Sequence, residues 1–269
     1  MFDKTVWIRG AGEMGSATAQ ILHGVGFRVY VSELPLPLAI RRKVTFSDAI
    51  LTGQADVEGT RGIFSETDNA NKIISNGSVP VLLDNQNLVQ KISTDILVDA
   101  RMLKRETVNL IGTTELTIGL GPGFNAQHNC DIAIETNRGH NLGRIITRGG
   151  TDKDTGVPGV LGGESNRRVI YSSGTGTIKW LVDFGDIVEK GTLLGTIADT
   201  TDIHAPLSGI VRGLISPGVQ AVDGMKIGDV DPRGKKVEYL LVSDKARLIG
   251  RGVLEAILKY YHKKEKLED

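Results

Sequence analysis

The chain holds a single cysteine, Cys130, which excludes an internal disulfide framework. Aromatic residues are scarce, with two Trp, five Tyr and six Phe among 269 residues, and there are only eight prolines. The low proline content and the lack of a G-X-Y period exclude collagen and Pro-rich linkers. There is no excess charge of either sign, Lys+Arg and Asp+Glu both totalling 32, so no global field exists to hold nucleic acid or an anionic bilayer. No apolar run reaches the roughly 18 residues that a membrane helix needs. The start MFDKTVWIRGAGEMG runs directly into a strand and turn without a charged-then-apolar leader, which predicts a cytoplasmic protein. Neither a nucleophile elbow nor a Walker loop is found, and no C-x-x-C or H-E-x-x-H spacing suggests a metal.

What is abundant is glycine, 34 residues, beside a hydrophobic content of 40% and a charged content of 24% that are ordinary for a globular protein. Residues 5–9, a helical face at Ala17, Ile21 and Leu22, and the strand FRVYVSE give strand, glycine turn, helix, strand. The runs VPVLLD, DILVDA, ELTIGLGPGF, CDIAIE and GRIITRGG continue the alternation, which predicts a Rossmann-like parallel sheet over 1–167. From about Arg168 short β-prone runs separated by glycine predict an all-β module over 168–235. Its halves align through Ile178/Ile210, Gly185/Gly218, Val188/Ala221 and Gly191/Gly224, the mark of an internal duplication. The remainder, 236–269, reads as a strand YLLVS and an amphipathic helix whose stripe is Ile249, Val253, Ala256, Ile257 and Tyr260, expected to return to the first domain.

Gly10, Gly12 and Gly15 form G-x-G-x-x-G directly after a strand and at the start of a helix, where helix N–H groups can face an anion. The loop residues Gly10, Gly12, Glu13, Met14 and Gly15 are therefore candidate binding residues, with Glu33 at the end of the second strand as a ribose acceptor. A glycine turn that serves packing alone is the alternative. The Glu13 carboxylate would repel a pyrophosphate unless directed away from it. Arg41, Arg42 and Lys43 are cations suited to a phosphorylated ligand, or else one solvated helix face. A second glycine turn, Gly119 to Phe124, follows another strand. Asp84 and Asp99 end apolar strands, with Arg101 near the second, and none has a nucleophile or base beside it in sequence. His128, Cys130, Asp131 and His140 cluster without metal spacing, and alternation along 130–135 predicts a packed thiol.

Two resemblances follow. The segments GDIVEKGTLLGTI, IHAPLSGIV and GVQAVDGMKIGDV resemble the barrel-sandwich hybrid of biotinyl and lipoyl carrier domains. The equivalent hairpin tip, Asp199, Thr200, Thr201 and Asp202, has no lysine, which speaks against covalent biotin or lipoate. Over nearly the whole chain, RGAGEMGSATA, ELPLPLAIRRKVTFSDAI, GPGFNAQHNCDIAIETNRGHNLGRII, TGVPG and GRGVLEAIL resemble the YqeB-type accessory proteins of selenium-dependent molybdenum hydroxylases. The glycine loop and ETNRGH also resemble XdhC-type maturation factors. This resemblance implies an accessory role in maturation or cofactor insertion, with a molybdenum hydroxylase or its maturation machinery as partner and a molybdenum-cofactor-type phosphorylated ligand. It implies ligand or partner contacts at Arg41, Arg42, Gly121, Gly123, Phe124, Glu135, Arg138 and His140; Asn125-Ala-Gln-His128 departs from the pattern. The rival reading is an NAD(P)-dependent oxidoreductase. A homo-oligomer is compatible with either.

Overall fold

A computed structural model describes residues 3–85, 87–105, 107–157 and 159–268. The chain forms two compact units, the first from Met1–Pro35, Thr45–Asp154 and Val242–Asp269, the second from Leu36–Val44 and Thr155–Leu241.

The first unit is built on β1 (Thr5–Arg9), whose β-branched and aromatic residues suit a strand buried on both faces. It lies parallel between β2 (Arg28–Glu33) and β6 (Ile96–Asp99). Beyond β2 come β5 (Val79–Leu83), β4 (Thr60–Phe64) and β3 (Gln54–Val57); beyond β6 come β7 (Leu116–Leu120), β9 (Ile132–Ile134) and β10 (Ile145–Ile146). A separate short pair joins β8 (Asn125–Ala126) to β11 (Gly149–Gly150). On one face Trp7 and Tyr30 stack with ring centroids 6.2 Å apart, within a cluster that includes Leu82, Leu97, Phe124 and Cys130. Short helices α2 (Ala49–Thr52), α3 (Ala70–Ser75) and α4 (Leu88–Lys91) sit in the connections.

Helix α1 (Glu13–Gly24) packs against β1, β2 and the long helix α5 (Asp244–Glu268). The α5 stripe Ile249, Val253, Ala256 and Ile257 is fully buried, each large apolar side chain contributing about 1.5–3 kcal/mol. Approach to α1 is close at Gly250, where a Cβ would lie 2.8 Å from Ile21 and 3.2 Å from the Thr18 Cα. Residues 239–243, expected as a strand, are turn and irregular chain. The carbonyls of Tyr239 and Leu241 accept instead from the Arg41 guanidinium, within the second unit, at 3.4 and 3.0 Å.

In the second unit β12 (Val169–Tyr171), β19 (Lys226–Asp231), β17 (Gly209–Leu214) and β14 (Ile187–Val188) form one antiparallel sheet. The other holds β16 (Thr201–His204), β15 (Leu193–Ile197), β13 (Gly176–Trp180) and β18 (Gln220–Ala221). The aligned halves exchange strands: β14 pairs with β17, and β18 with β13. Leu194, Val211, Ile227 and Val230 fill the core between them.

The expectation of a Rossmann-like parallel sheet plus a biotinyl/lipoyl-like module is corrected by this topology. The large sheet is mixed, because antiparallel pairs β3–β4 and β9–β10 close both its edges. The hairpin β3–β4 turns at Glu58 and Gly59, both with positive φ (48° and 83°), the geometry that a tight two-residue hairpin requires. The β-rich unit is a pair of four-stranded antiparallel sheets that incorporates Leu36–Val44 from early in the chain. Ile40 packs against its core, and the Ile40 carbonyl accepts from the Leu214 N–H at 2.8 Å.

Candidate functional site

The parallel strands β1, β2, β6, β7 and β9 deliver their carboxyl ends to one edge of the first unit, the preferred place for a ligand in an open α/β sheet. The chain leaves β1 through Gly10, at φ +102°. A Cβ there would stand 2.9 Å from the Arg101 nitrogen, so this glycine lets the loops after β1 and β6 touch. Gly15 is closed by packing too, its hypothetical Cβ falling 1.9 Å from the Gly10 carbonyl oxygen. Gly12 differs. It is the N-cap of α1 with no side-chain cap, its backbone is extended (φ −67°, ψ −178°), and among the described residues no atom beyond its own chain neighbours lies within 4 Å of where a Cβ would be. The first turn, Glu13 and Met14, therefore begins beside open space, with the partial positive charge of the helix end.

Glu33 ends β2 and its carboxylate accepts from the Ala11 N–H at 2.8 Å and the Leu34 N–H at 2.7 Å. Burial is the main influence on its pKa and raises it, opposed by the hydrogen bonds from Leu34 and Ala11 and aided by the charge of Asp84. Asp84 accepts a bidentate pair from Arg9 and a 2.8 Å bond from the Ser32 hydroxyl, which in turn accepts from the Trp7 indole at 2.9 Å. On the next strand Asp99 is buried and clamped by the Arg101 guanidinium. These acids and bases are spent on each other.

The second glycine turn is filled rather than open. Gly121 and Gly123 have φ +79° and +98°. A Cβ on Gly121 would meet the Thr136 hydroxyl at 2.4 Å, and Phe124 is buried against Gly119. Glu135 is buried, and its carboxylate accepts from the N–H groups of Thr136 (2.6 Å), Asn137 (2.6 Å) and Asp152 (2.7 Å), which shapes the loop after β9. Arg138, in that loop, makes a bidentate pair with Asp244 at 3.0 Å, while His140 is exposed. His128 is also exposed. Arg41 and Arg42 belong to the second unit, where Arg42 and Lys43 lie over the Phe184 ring at 5.8 and 5.4 Å.

Glu13 is directed to α5: its Oε1 accepts from the Ser243 N–H at 2.8 Å. The start of α5 is thereby brought beside the glycine loop, and with it Lys245, a residue with no motif around it in the sequence. Burial lowers the Lys245 pKa first, the Arg138 charge next, and Lys104 adds to this against Glu13 and Glu135. Among the described residues no group of three or more His, Cys, Asp or Glu could hold a metal ion. Cys130 is fully buried and its thiol is pushed up to about 12, chiefly by burial, which leaves it inert at neutral pH. No helix among the described residues is long and apolar enough to cross a membrane.

No family model matches the chain. It is similar to "Uncharacterized protein YqeB" of Escherichia coli, with 41% identity over 259 residues, 96% of this chain and 48% of that protein. The chain thus spans about half the length of the curated relative it matches. Among solved structures, the ectoine utilization protein EutE (DoeB) of Ruegeria pomeroyi in its product-bound form shows 12% identity over 85% of each chain, with a TM-score of 0.27. An aspartoacylase family protein of Mesorhizobium loti shows 12% identity over 85% of this chain and 86% of that one, with a TM-score of 0.26. The mixed large sheet and the two antiparallel sheets of the second unit replace the Rossmann-like and biotinyl/lipoyl-like labels, and the name of the Escherichia coli relative states no role in molybdenum hydroxylase maturation.

Proposed function

We propose that the first unit binds a phosphate-bearing small molecule, a nucleotide or a related phosphorylated ligand, at the N-terminus of α1. The observation that carries this reading is the asymmetry within one motif: Gly10 and Gly15 are demanded by packing, whereas Gly12 borders open space at an uncapped helix end. Packing alone accounts for two glycines and leaves the third without a role. An anion at that end gains from backbone N–H groups and the helix dipole together. The Glu13 carboxylate is turned toward the Ser243 N–H, from which it accepts at 2.8 Å.

The test is calorimetric binding of ADP, NADH and pyrophosphate to the native chain and to Gly12→Asp. An aspartate is a favourable N-cap, and its Cβ has room, so the variant folds while its carboxylate occupies the anion's place. We expect at least one of the three to bind the native protein, and binding to fall by about 100-fold or more in the variant. Equal affinity in both proteins, or no binding of any probe at millimolar concentration, overturns the reading.

A further inference from the structure

The two ion pairs at the ends of the central strands are each closed through one edge of the guanidinium only. Arg9, the last residue of β1, donates to Asp84 through Nε and Nη2, both at 2.9 Å. Arg101, just after β6, donates to Asp99 through the same two nitrogens. A guanidinium is a planar fork with five N–H donors, so a second edge remains on each, made of Nη1 and one N–H of Nη2. Among the described residues neither Nη1 has a hydrogen-bond partner, and neither is a buried orphan, so both are open to solvent. The side chains as a whole are largely withdrawn from water, Arg9 being 16% and Arg101 23% exposed.

The register brings the two forks together. Arg9 is the cross-strand partner of Asp99, and paired residues share a face of the sheet. That face carries Trp7 and Leu97, and the Arg9 guanidinium lies 5.7 Å from the Trp7 ring centroid. Glu33 follows Ser32, the partner of Arg9 on β2, and by alternation it lies on the opposite face. From β1 the chain runs to β2 and from β6 to β7, so the crossovers diverge between β1 and β6, the place that open α/β sheets keep for ligands.

We infer that Arg9 and Arg101 form a binding fork for a small oxyanion, a carboxylate or phosphoryl group, on the face of the sheet opposite Glu33. Asp99, which is buried, and Asp84 are positioning residues: each fixes the plane of its arginine, so little side-chain freedom is lost when the second edge takes an anion. The two pairs are neutral as a set. Recognition therefore rests on paired N–H donors rather than on net charge, and a group with two or more oxygens fits better than a halide. This site goes beyond the helix end proposed above and does not depend on it.

The experiment is calorimetry on the full chain with inorganic phosphate and malonate as probes and chloride as competitor, comparing native protein, Arg9→Lys, Arg101→Lys and Gly12→Asp. Lysine keeps the ion pair with the acid and so keeps the strand end closed, but it has no second edge. We expect phosphate or malonate to bind the native protein at millimolar concentration, the tighter of the two naming the group the ligand carries, and excess chloride not to displace it. Each lysine variant should lose about 10-fold or more of that affinity while its ligand-free melting midpoint stays near the native one, and Gly12→Asp should retain it. Affinity unchanged in both lysine variants overturns the fork, as does a native chain that binds neither oxyanion. Binding lost in Gly12→Asp but kept in both lysine variants assigns the anion to the start of α1, which overturns the fork and leaves the helix-end site standing.

Discussion

The Glu33 carboxylate holds the glycine loop from the neighbouring strand, its Oε2 accepting from the Ala11 N–H at 2.8 Å while Oε1 accepts from Leu34 at 2.7 Å. Both partners are donors, and an amide offers only one acceptor oxygen to them. Glu33→Gln should therefore cost about 1 kcal/mol or more, because one N–H is left facing an NH2 group. The pH dependence has a definite sign. Burial raises the folded pKa of Glu33 above its ordinary 4.5, so its contribution is fully present below 4.5 and declines as pH rises through the folded value. The deficit of the variant, followed by urea midpoints, should be largest in acid and narrow toward neutrality. A deficit that widens with pH would show that the carboxylate is favoured by its hydrogen bonds more than it is penalised by burial.

The three motif glycines should separate in a stability series. Gly15→Ala places a Cβ 1.9 Å from the Gly10 carbonyl oxygen, a backbone atom that cannot move aside cheaply, and should lose about 3 kcal/mol or more. Gly10→Ala combines φ +102° with a contact of 2.9 Å and should also destabilise. Gly12→Ser should lie within about 0.5 kcal/mol of native, since serine is a good N-cap and the space is open. A melting midpoint for Gly12→Ser as low as that for Gly15→Ala would remove the distinction on which the binding site rests.

Local patterns made the strands and the first glycine loop legible. Alternation along TVWIR and RVYVSE places Val6, Ile8, Val29 and Val31 in the core, and the glycines mark where β1 turns into α1. Illegible were the features that depend on distant parts of the chain meeting. Lys245 gains its setting only because Glu13 accepts from Ser243 across 230 residues. Leu36–Val44 joins the β-rich unit through Ile40, whose carbonyl meets Leu214, and nothing local announces that pairing. The hairpin β3–β4 escaped notice because its turn puts Glu58, not Asn or Asp, at positive φ. Glu33 reads as a ribose acceptor by position, yet its oxygens also hold the loop itself.

Glu115 should dominate the acid limb of stability in the first unit. Its carboxylate accepts from Lys4 at 2.8 Å, Lys264 at 2.7 Å and Tyr261 at 3.1 Å, tying the end of α5 to the sheet. Burial pushes its pKa up, but the hydrogen bonds from Lys264 and Lys4 prevail and hold it at about 2. A depressed carboxylate contributes stability above its unfolded value of 4.5 that is lost as pH falls toward 2. Glu115→Gln should therefore destabilise the protein by about 2 kcal/mol near neutrality and by almost nothing near the lower value. Equal losses at both ends of the range would make its role steric rather than electrostatic.

Within the second unit, strand alternation turns Asp229 and Asp231 inward on one face of β19, where both are buried with Arg168 and Arg212. Arg168 pairs with Asp229, Arg212 lies 3.3 Å from Asp231 and 3.8 Å from Asp229, and Arg233 clamps Asp231 from outside. A buried ion pair gains little over an apolar pair, but half of one is costly. Asp229→Asn should lose about 3–5 kcal/mol, because Arg168 keeps its charge without an opposing carboxylate, and Arg168→Met in the same chain should restore most of the loss. Each unit carries its own tryptophan, Trp7 in the first and Trp180 in the second, where the Trp180 indole donates to the Ile215 carbonyl at 3.0 Å. With Trp7→Phe as background, the fluorescence midpoint of Trp180 reports the second unit. A double variant no more stable than Asp229→Asn alone would mean that the carboxylate of Asp229 serves packing or register in β19, and not the neutralisation of Arg168.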